Sequence, residues 1–207
     1  MPFRSILLLT LALAALAPVA RATTVVPPSF SELVSGADAI YRGRVTGIEA
    51  RRVDRAGGSQ IIKTFVTLAV EKVLKGAERT EVTLEFLGGT IGDESLNVVG
   101  MPKFAVGARE IVFVQNNGTQ FCPLVGMMHG RYKILRDTAA SRDYVTRDDG
   151  APLTHVSEVQ LPIDATPAQI RAATAATARD RALTPAAFEA SIAAEAQRLT
   201  PRPLQNN

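Results

Sequence analysis

From Ala39 to Glu71 apolar and polar residues alternate with a period of two, broken once by a glycine-rich stretch. Tyr41, Gly43, Val45 and Gly47 fall on one side, and Ile40, Arg42, Arg44 and Thr46 on the other. Further on, Ile62, Thr64, Val66, Leu68 and Val70 alternate with Lys63, Phe65, Thr67, Ala69 and Glu71, up to the stop at Leu74-Lys75-Gly76. Period-two alternation with β-branched and aromatic residues is the signature of half-buried strands. Between the two runs lies RAGGSQ, Arg55 to Gln60, whose adjacent glycines accept the positive φ angles of a tight reversal. The pattern predicts a long hairpin. Three shorter strands follow, around Val82, Leu84 and Phe86, at Ile111 to Val114, and at Tyr132 to Leu135. TRDDGAP, Thr146 to Pro152, reads as one more hairpin turn.

Strands broken by glycine-rich turns, with no helices alternating between them, point to an antiparallel sheet closed or nearly closed on itself. Gly43, Gly47, Gly88 and Gly89 stand within or at the ends of strand patterns, where barrel corners bend. The fold expected is mainly β, a five-stranded OB-like antiparallel barrel, with a β-sandwich as the alternative. Two helical regions lie outside it. Phe30 to Asp38 has Ser29 or Ser31 available as a cap and Leu33 with Val34 as its apolar contact. From Thr166 the chain turns alanine-rich, and Thr166-Pro167 and Thr184-Pro185 each place a capping hydroxyl before a proline at the first helical position. In the second of these helices Phe188, Ile192 and Leu199 share a face.

The first 22 residues read as an address. Arg4 supplies a positive start, Ile6 to Leu16 is an almost unbroken apolar run, and Ala20-Arg21-Ala22 has the small-x-small form of a cleavage site. The run is too short for a permanent span, and no cysteine follows to accept a lipid. The expectation is an exported, periplasmic or secreted chain without a stable membrane anchor, beginning at Thr23. Residues 23–160 would form the β domain and residues 161–207 an alanine-rich helical appendage. Taking Arg4 and Arg21 from the 23 basic residues leaves 21 against 20 acidic ones, so the mature chain offers no electrostatic reason to bind nucleic acid. A single cysteine, Cys122, forms no internal bridge.

Catalytic chemistry is sparse. Cys122 precedes His129 by seven residues, but its FCPLVGMM surroundings would raise a thiol pKa rather than lower it. Asp93 and Glu94 sit together in a glycine-bounded loop, without the distinct environments that paired carboxylate catalysis needs. His129 and His155 are the only histidines, and no HxxxH, HExxH or CxxC spacing occurs. The residues point to a non-enzymatic protein without cofactor or metal of its own, acting by binding. The natural place for binding is the long loop from Gly88 to Phe104, with Gly88, Gly89, Asp93, Glu94, Met101 and Pro102 as its candidate residues. The other reading of this loop is a folded-back hairpin over one barrel mouth, with Val98, Val99, Met101 and Phe104 as core.

The start of the mature chain carries a resemblance. Thr24, Val26, Pro27 and Pro28, followed by Asp38, Ile40 and Arg42 at the first strand, resemble the opening of the tissue inhibitors of metalloproteinases, which belong to the netrin-like OB-barrel group. The chain also resembles exported bacterial proteins of no assigned activity that share LVSGAD, Leu33 to Asp38, a VEKVLKG strand and a GG…GMPKF loop. The first resemblance implies a protein partner, a secreted zinc metalloprotease. The α-amine and carbonyl of Thr23 would chelate the partner's zinc, Thr24 would enter its specificity pocket, and Val25, Val26, Pro27 and Pro28 would form a rigid ridge. An α-amine titrates near neutrality and prolines limit the ordering cost. Where the inhibitors have two disulfide-bonded cysteines this chain has Thr23 and Val25, so packing of Val25 or Val26 would have to hold the ridge. Two further readings stand beside it: an extended lead-in whose prolines prevent edge pairing, and a cell-envelope binding or assembly module that uses the Gly88 to Phe104 loop.

Overall fold

The computed structural model describes residues 26–55, 57–163 and 178–200. The expected leader of residues 1–22, Thr23 to Val25 and the helix expected from Thr166 lie outside the described residues or almost wholly so. The long alternating runs form strands β1 (Ala39–Asp54) and β2 (Gln60–Lys75), which pair antiparallel from Ile40–Lys75 to Asp54–Gln60. Arg55 N–H bonds the Ser59 carbonyl, and Gly57 and Gly58 carry φ of 94° and 78°, as the hairpin reading requires. Then come β3 (Glu81–Leu87), β4 (Gly89–Ile91), β5 (Glu94–Leu96), β6 (Arg109–Val114), β7 (Arg131–Asp137) and β8 (Arg142–Arg147). β4 and β5 make a hairpin of their own, and the other six form one antiparallel sheet in the order β3-β2-β1-β6-β7-β8.

The mainly β fold with a short N-terminal helix and a C-terminal helix is present; the closed five-stranded barrel is not. Two features keep the sheet open. β7 continues to β8 instead of turning back toward β3. The outer edge of β3 is occupied by the segment after β6: the Asn117 side chain accepts from Glu85 N–H and donates to the Thr83 carbonyl, and the Phe121 carbonyl accepts from Leu87 N–H. At the opposite edge Val145 N–H donates to the Leu183 carbonyl, and its own carbonyl accepts from Leu153 N–H. Covered edges cannot template further strands.

Register shifts in β1 at Ile40/Tyr41, Arg42/Gly43 and Val45/Gly47 coil the long hairpin. Gly43 is needed in this stretch, since a Cβ there would lie 2.6 Å from the Ala69 carbonyl oxygen. Both faces of the sheet are covered, which explains why Ile111 to Val114 of β6 are all apolar. Ile111 and Phe113 join Ile40, Tyr132, Ile134 and Val145 in one core, while Val112 and Val114 join Tyr41, Val45, Leu68, Leu84 and Phe86 in the other.

Two helices close the first core. Helix α1 (Phe30–Gly36) starts with a capping box in which Ser29 Oγ accepts from Glu32 N–H at 3.2 Å and Ser29 N–H donates to the Glu32 carboxylate at 2.7 Å. It buries Leu33 and Val34. Helix α2 (Pro185–Leu199) starts at Thr184, whose hydroxyl accepts from Ala187 N–H, with Pro185 at the first position. Phe188 and Ile192 are fully buried, and the Phe188 ring stands 4.8 Å from Tyr132 and 6.0 Å from Phe30. Glu189 is buried on the same helix and meets Arg42 at 2.6 Å and Lys72 at 2.8 Å, which fixes α2 to β1 and β2. Deleting the Phe188 ring therefore removes a shared core element. Phe188→Ala should cost about 3–5 kcal/mol, read from urea unfolding midpoints; a loss below about 1 kcal/mol would mean that α2 is not part of the cooperative core.

Candidate functional site

The second core is closed by loops rather than helices, and these loops carry the candidate residues. After β3 the chain turns at Gly88, with φ of 99° and no room for a side chain, since a Cβ would lie 2.6 Å from the Leu96 carbonyl oxygen. Gly89 packs equally closely, its missing Cβ 2.5 Å from Thr64 Oγ1. The loop is thereby pinned to the β1–β2 hairpin. Asp93 and Glu94 lie exposed at the tip of the β4–β5 hairpin, Glu94 paired with Arg52. They are separate solvated acids.

The chain then returns across the core. Pro102 is buried, Met101 is half-buried, and the Phe104 ring packs 5.3 Å from Phe86. Val98 is half-buried, whereas Val99 projects from the loop at 96% exposure, so of the four residues expected to fill a barrel mouth this one faces outward. Between the loop and the sheet runs a groove of about 350 Å³ lined by Ile48, Thr64, Phe86, Val98, Met101 and Phe104. Ile48, at its rim, is itself exposed.

Arg131, the first residue of β7, holds this arrangement from beneath. Its guanidinium donates to both oxygens of Glu110, Nε to Oε2 at 3.0 Å and Nη2 to Oε1 at 2.7 Å, and to Asp148 Oδ1 at 2.7 Å. Its flat face lies 4.2 Å from the centre of the Phe104 ring. Arg131 is 3% exposed and Glu110 not at all. Burial pushes the Glu110 carboxyl above its ordinary value, against the Arg131 bonds that lower it. Lys133 donates to the Asp148 carbonyl, and Arg147 pairs with Asp149 at 2.9 Å, completing a charged layer beside the core.

Just before Arg131 stands the short 3-10 turn Met127–Gly130. It begins at Gly126, in the left-handed region at φ 61°. A Cβ at Gly126 would lie 3.0 Å from the Pro28 ring, and a Cβ at Gly100 would lie 3.2 Å from Met127 Cε and 3.3 Å from Met128 Cε. One turn therefore supports both the N-terminal segment, through Pro28, and the Gly88 to Phe104 loop, through Gly100. Of the N-terminal candidates, Thr23, Thr24 and Val25 lie outside the described residues, Val26 is 83% exposed, and Pro27 and Pro28 are half-buried. Val26 does not hold the segment by packing; Pro28 does.

Cys122 and His129 are held apart in their contacts. Cys122 is buried in the second core, its thiol pushed up to about 11 by burial. His129 is itself buried, and that burial holds its imidazole below the ordinary 6.5. His155 caps the turn Val156–Gln160, accepting from Ser157 N–H. Among the described residues, no three His, Cys, Asp or Glu side chains gather where they could hold a metal, and no helix is long and apolar enough to cross a membrane.

Arg131, Gly126 and the Met127-Met128 pair are neighbours of the candidate residues that sequence patterning did not single out. Their only local signal is GMMHGR, a glycine-bounded turn ahead of a strand that opens on a charge. Compared with known proteins, the chain matches no family model and no curated protein.

The buried pair makes a measurable demand. Arg131→Met leaves Glu110 desolvated without its partner and should destabilise the fold by about 3–5 kcal/mol. The sign of its pH dependence follows. A carboxyl whose folded value is raised contributes stability below its ordinary 4.5 and loses it as pH rises. Stability of the variant should therefore fall more steeply than that of the parent between pH 4.5 and 7, by thermal unfolding. Parallel profiles would contradict the pairing.

Proposed function

We propose that the chain is an exported, non-enzymatic protein-binding module that presents its N-terminal segment and its Gly88 to Phe104 loop together to one protein partner. The observation that carries this reading is the shared support at Gly126 to Met128, with Pro28 on one side and Gly100 on the other. Val26 and Val99 project from the two segments, as recognition residues on a rigid support do. Covered sheet edges argue for recognition by side chains rather than by strand addition.

In its most concrete form the partner is a secreted zinc metalloprotease and the chain its inhibitor. Thr23 then supplies a free α-amine and carbonyl to the partner's zinc, Thr24 enters the specificity pocket, and Pro27 and Pro28 stiffen the approach. Pro28 against Gly126 takes the place of the missing disulfides. In the same reading the six-stranded sheet is an opened OB-like barrel of the netrin-like kind. β1 pairs on one side with β2 and on the other with β6, and its three register shifts supply the coiling of a barrel strand.

The test uses mature chain beginning at Thr23 and a panel of secreted zinc metalloproteases with a fluorogenic peptide. One alanine added before Thr23, or acetylation of its amine, should weaken inhibition by at least about a hundredfold, roughly 2.7 kcal/mol, at an unchanged melting temperature. Inhibition that survives both changes would sink the amine–zinc mechanism. The second reading, an envelope binding or assembly module, rests on the exposure of Val99 alone. It expects Val99→Asp to abolish partner capture and the added alanine to leave it intact.

A further inference from the structure

Three of the four methionines of the chain stand beside Gly100, Met101 next to it in sequence and Met127 and Met128 with their methyl groups turned toward it. Met101 follows Gly100 in the long loop, and Met127 and Met128 form the turn beneath it. The Cε atoms of Met127 and Met128 both reach the point where a Gly100 side chain would begin, at 3.2 and 3.3 Å. Met101 and Met127 pack against the same core. All three side chains are half-buried, and Met101 lines the open groove. Gly100, at φ 83°, has the backbone conformation that puts no side chain between them.

We infer that Met101, Met127 and Met128 form a thioether site for a soft monovalent cation, Cu(I) or Ag(I). Thioether sulfur is polarizable and uncharged, and among biological metals it selects Cu(I) over the harder divalent ions. Methionine has three rotatable bonds, so three sulfurs based on two adjoining segments can turn toward one ion with little backbone change. Phe86 and Phe104 flank Met101 with an apolar wall that slows oxidation of a bound Cu(I) by limiting water. The nearby histidine and cysteine are both buried, Cys122 within the second core. The site would bridge the loop and the turn beneath it, and it stands whether or not the loop binds a protein.

The direct test is titration of the full chain, carrying ¹³C-methyl methionine, with silver nitrate. Methyl resonances of Met101, Met127 and Met128 should shift together and saturate at one ion per chain, with a Kd of about 1 μM or tighter. Leucine keeps the volume of methionine. Met127→Leu combined with Met128→Leu should abolish binding, Met101→Leu should weaken it at least about tenfold, and Cys122→Ser should leave it unchanged. The inference is overturned if no methyl resonance moves in the parent chain, if the double variant still binds, or if Cys122→Ser removes the binding.

Discussion

Arg131 is the interaction on which the candidate face depends. It is a charge taken out of water, tolerable only because Glu110 accepts two of its bonds and Asp148 a third. Those bonds tie β6 to β7 and to the turn after β8. The same guanidinium lies against the Phe104 ring, so the loop from Gly88 to Phe104 rests on the side chain that ties the strands together. The preceding residues, Gly126 to Gly130, form the turn that carries Pro28 and the methionines. A change at Arg131 is felt on both sides of the face at once.

The remainder of the molecule can be understood as support for that arrangement. α1 and α2 seal one side of the sheet, with Phe188 and Ile192 deep in the core and Glu189 anchored by Arg42 and Lys72. With that side filled, the other side is closed by loops. Loops closing a core are constrained by packing at one end and free at the other, which is how Pro102 can be buried while Val99, three residues before it, is almost fully exposed.

Local features were legible in the sequence because local physics decides them. The β1–β2 hairpin followed from alternation and two glycines, the start of α2 from Thr184-Pro185, and that of α1 from a serine cap, Ser29 or Ser31, of which Ser29 makes it. Closure was not legible. Whether a sheet shuts depends on what meets its edges, and here Asn117, from a segment without strand periodicity, takes up the hydrogen-bonding groups of β3. The Glu110–Arg131 pair joins residues 21 apart in sequence, Glu110 just ahead of an apolar run and Arg131 at the head of the next strand, with nothing local to link them. In the N-terminal segment the expected anchor was Val25 or Val26. Val26 is exposed and Val25 lies outside the described residues; the contact seen is that of Pro28, whose ring fits a glycine with no side chain to displace.

The unity of the face can be measured by amide hydrogen exchange in Arg131→Lys, which keeps the charge but loses the fork that reaches Glu110 and Asp148 together. Exchange should accelerate in the Val98 to Phe104 stretch and in Gly126 to Gly130 together, with the β1–β2 hairpin protected as in the parent. Acceleration confined to one of the two segments, or spread evenly over the sheet, would contradict the account.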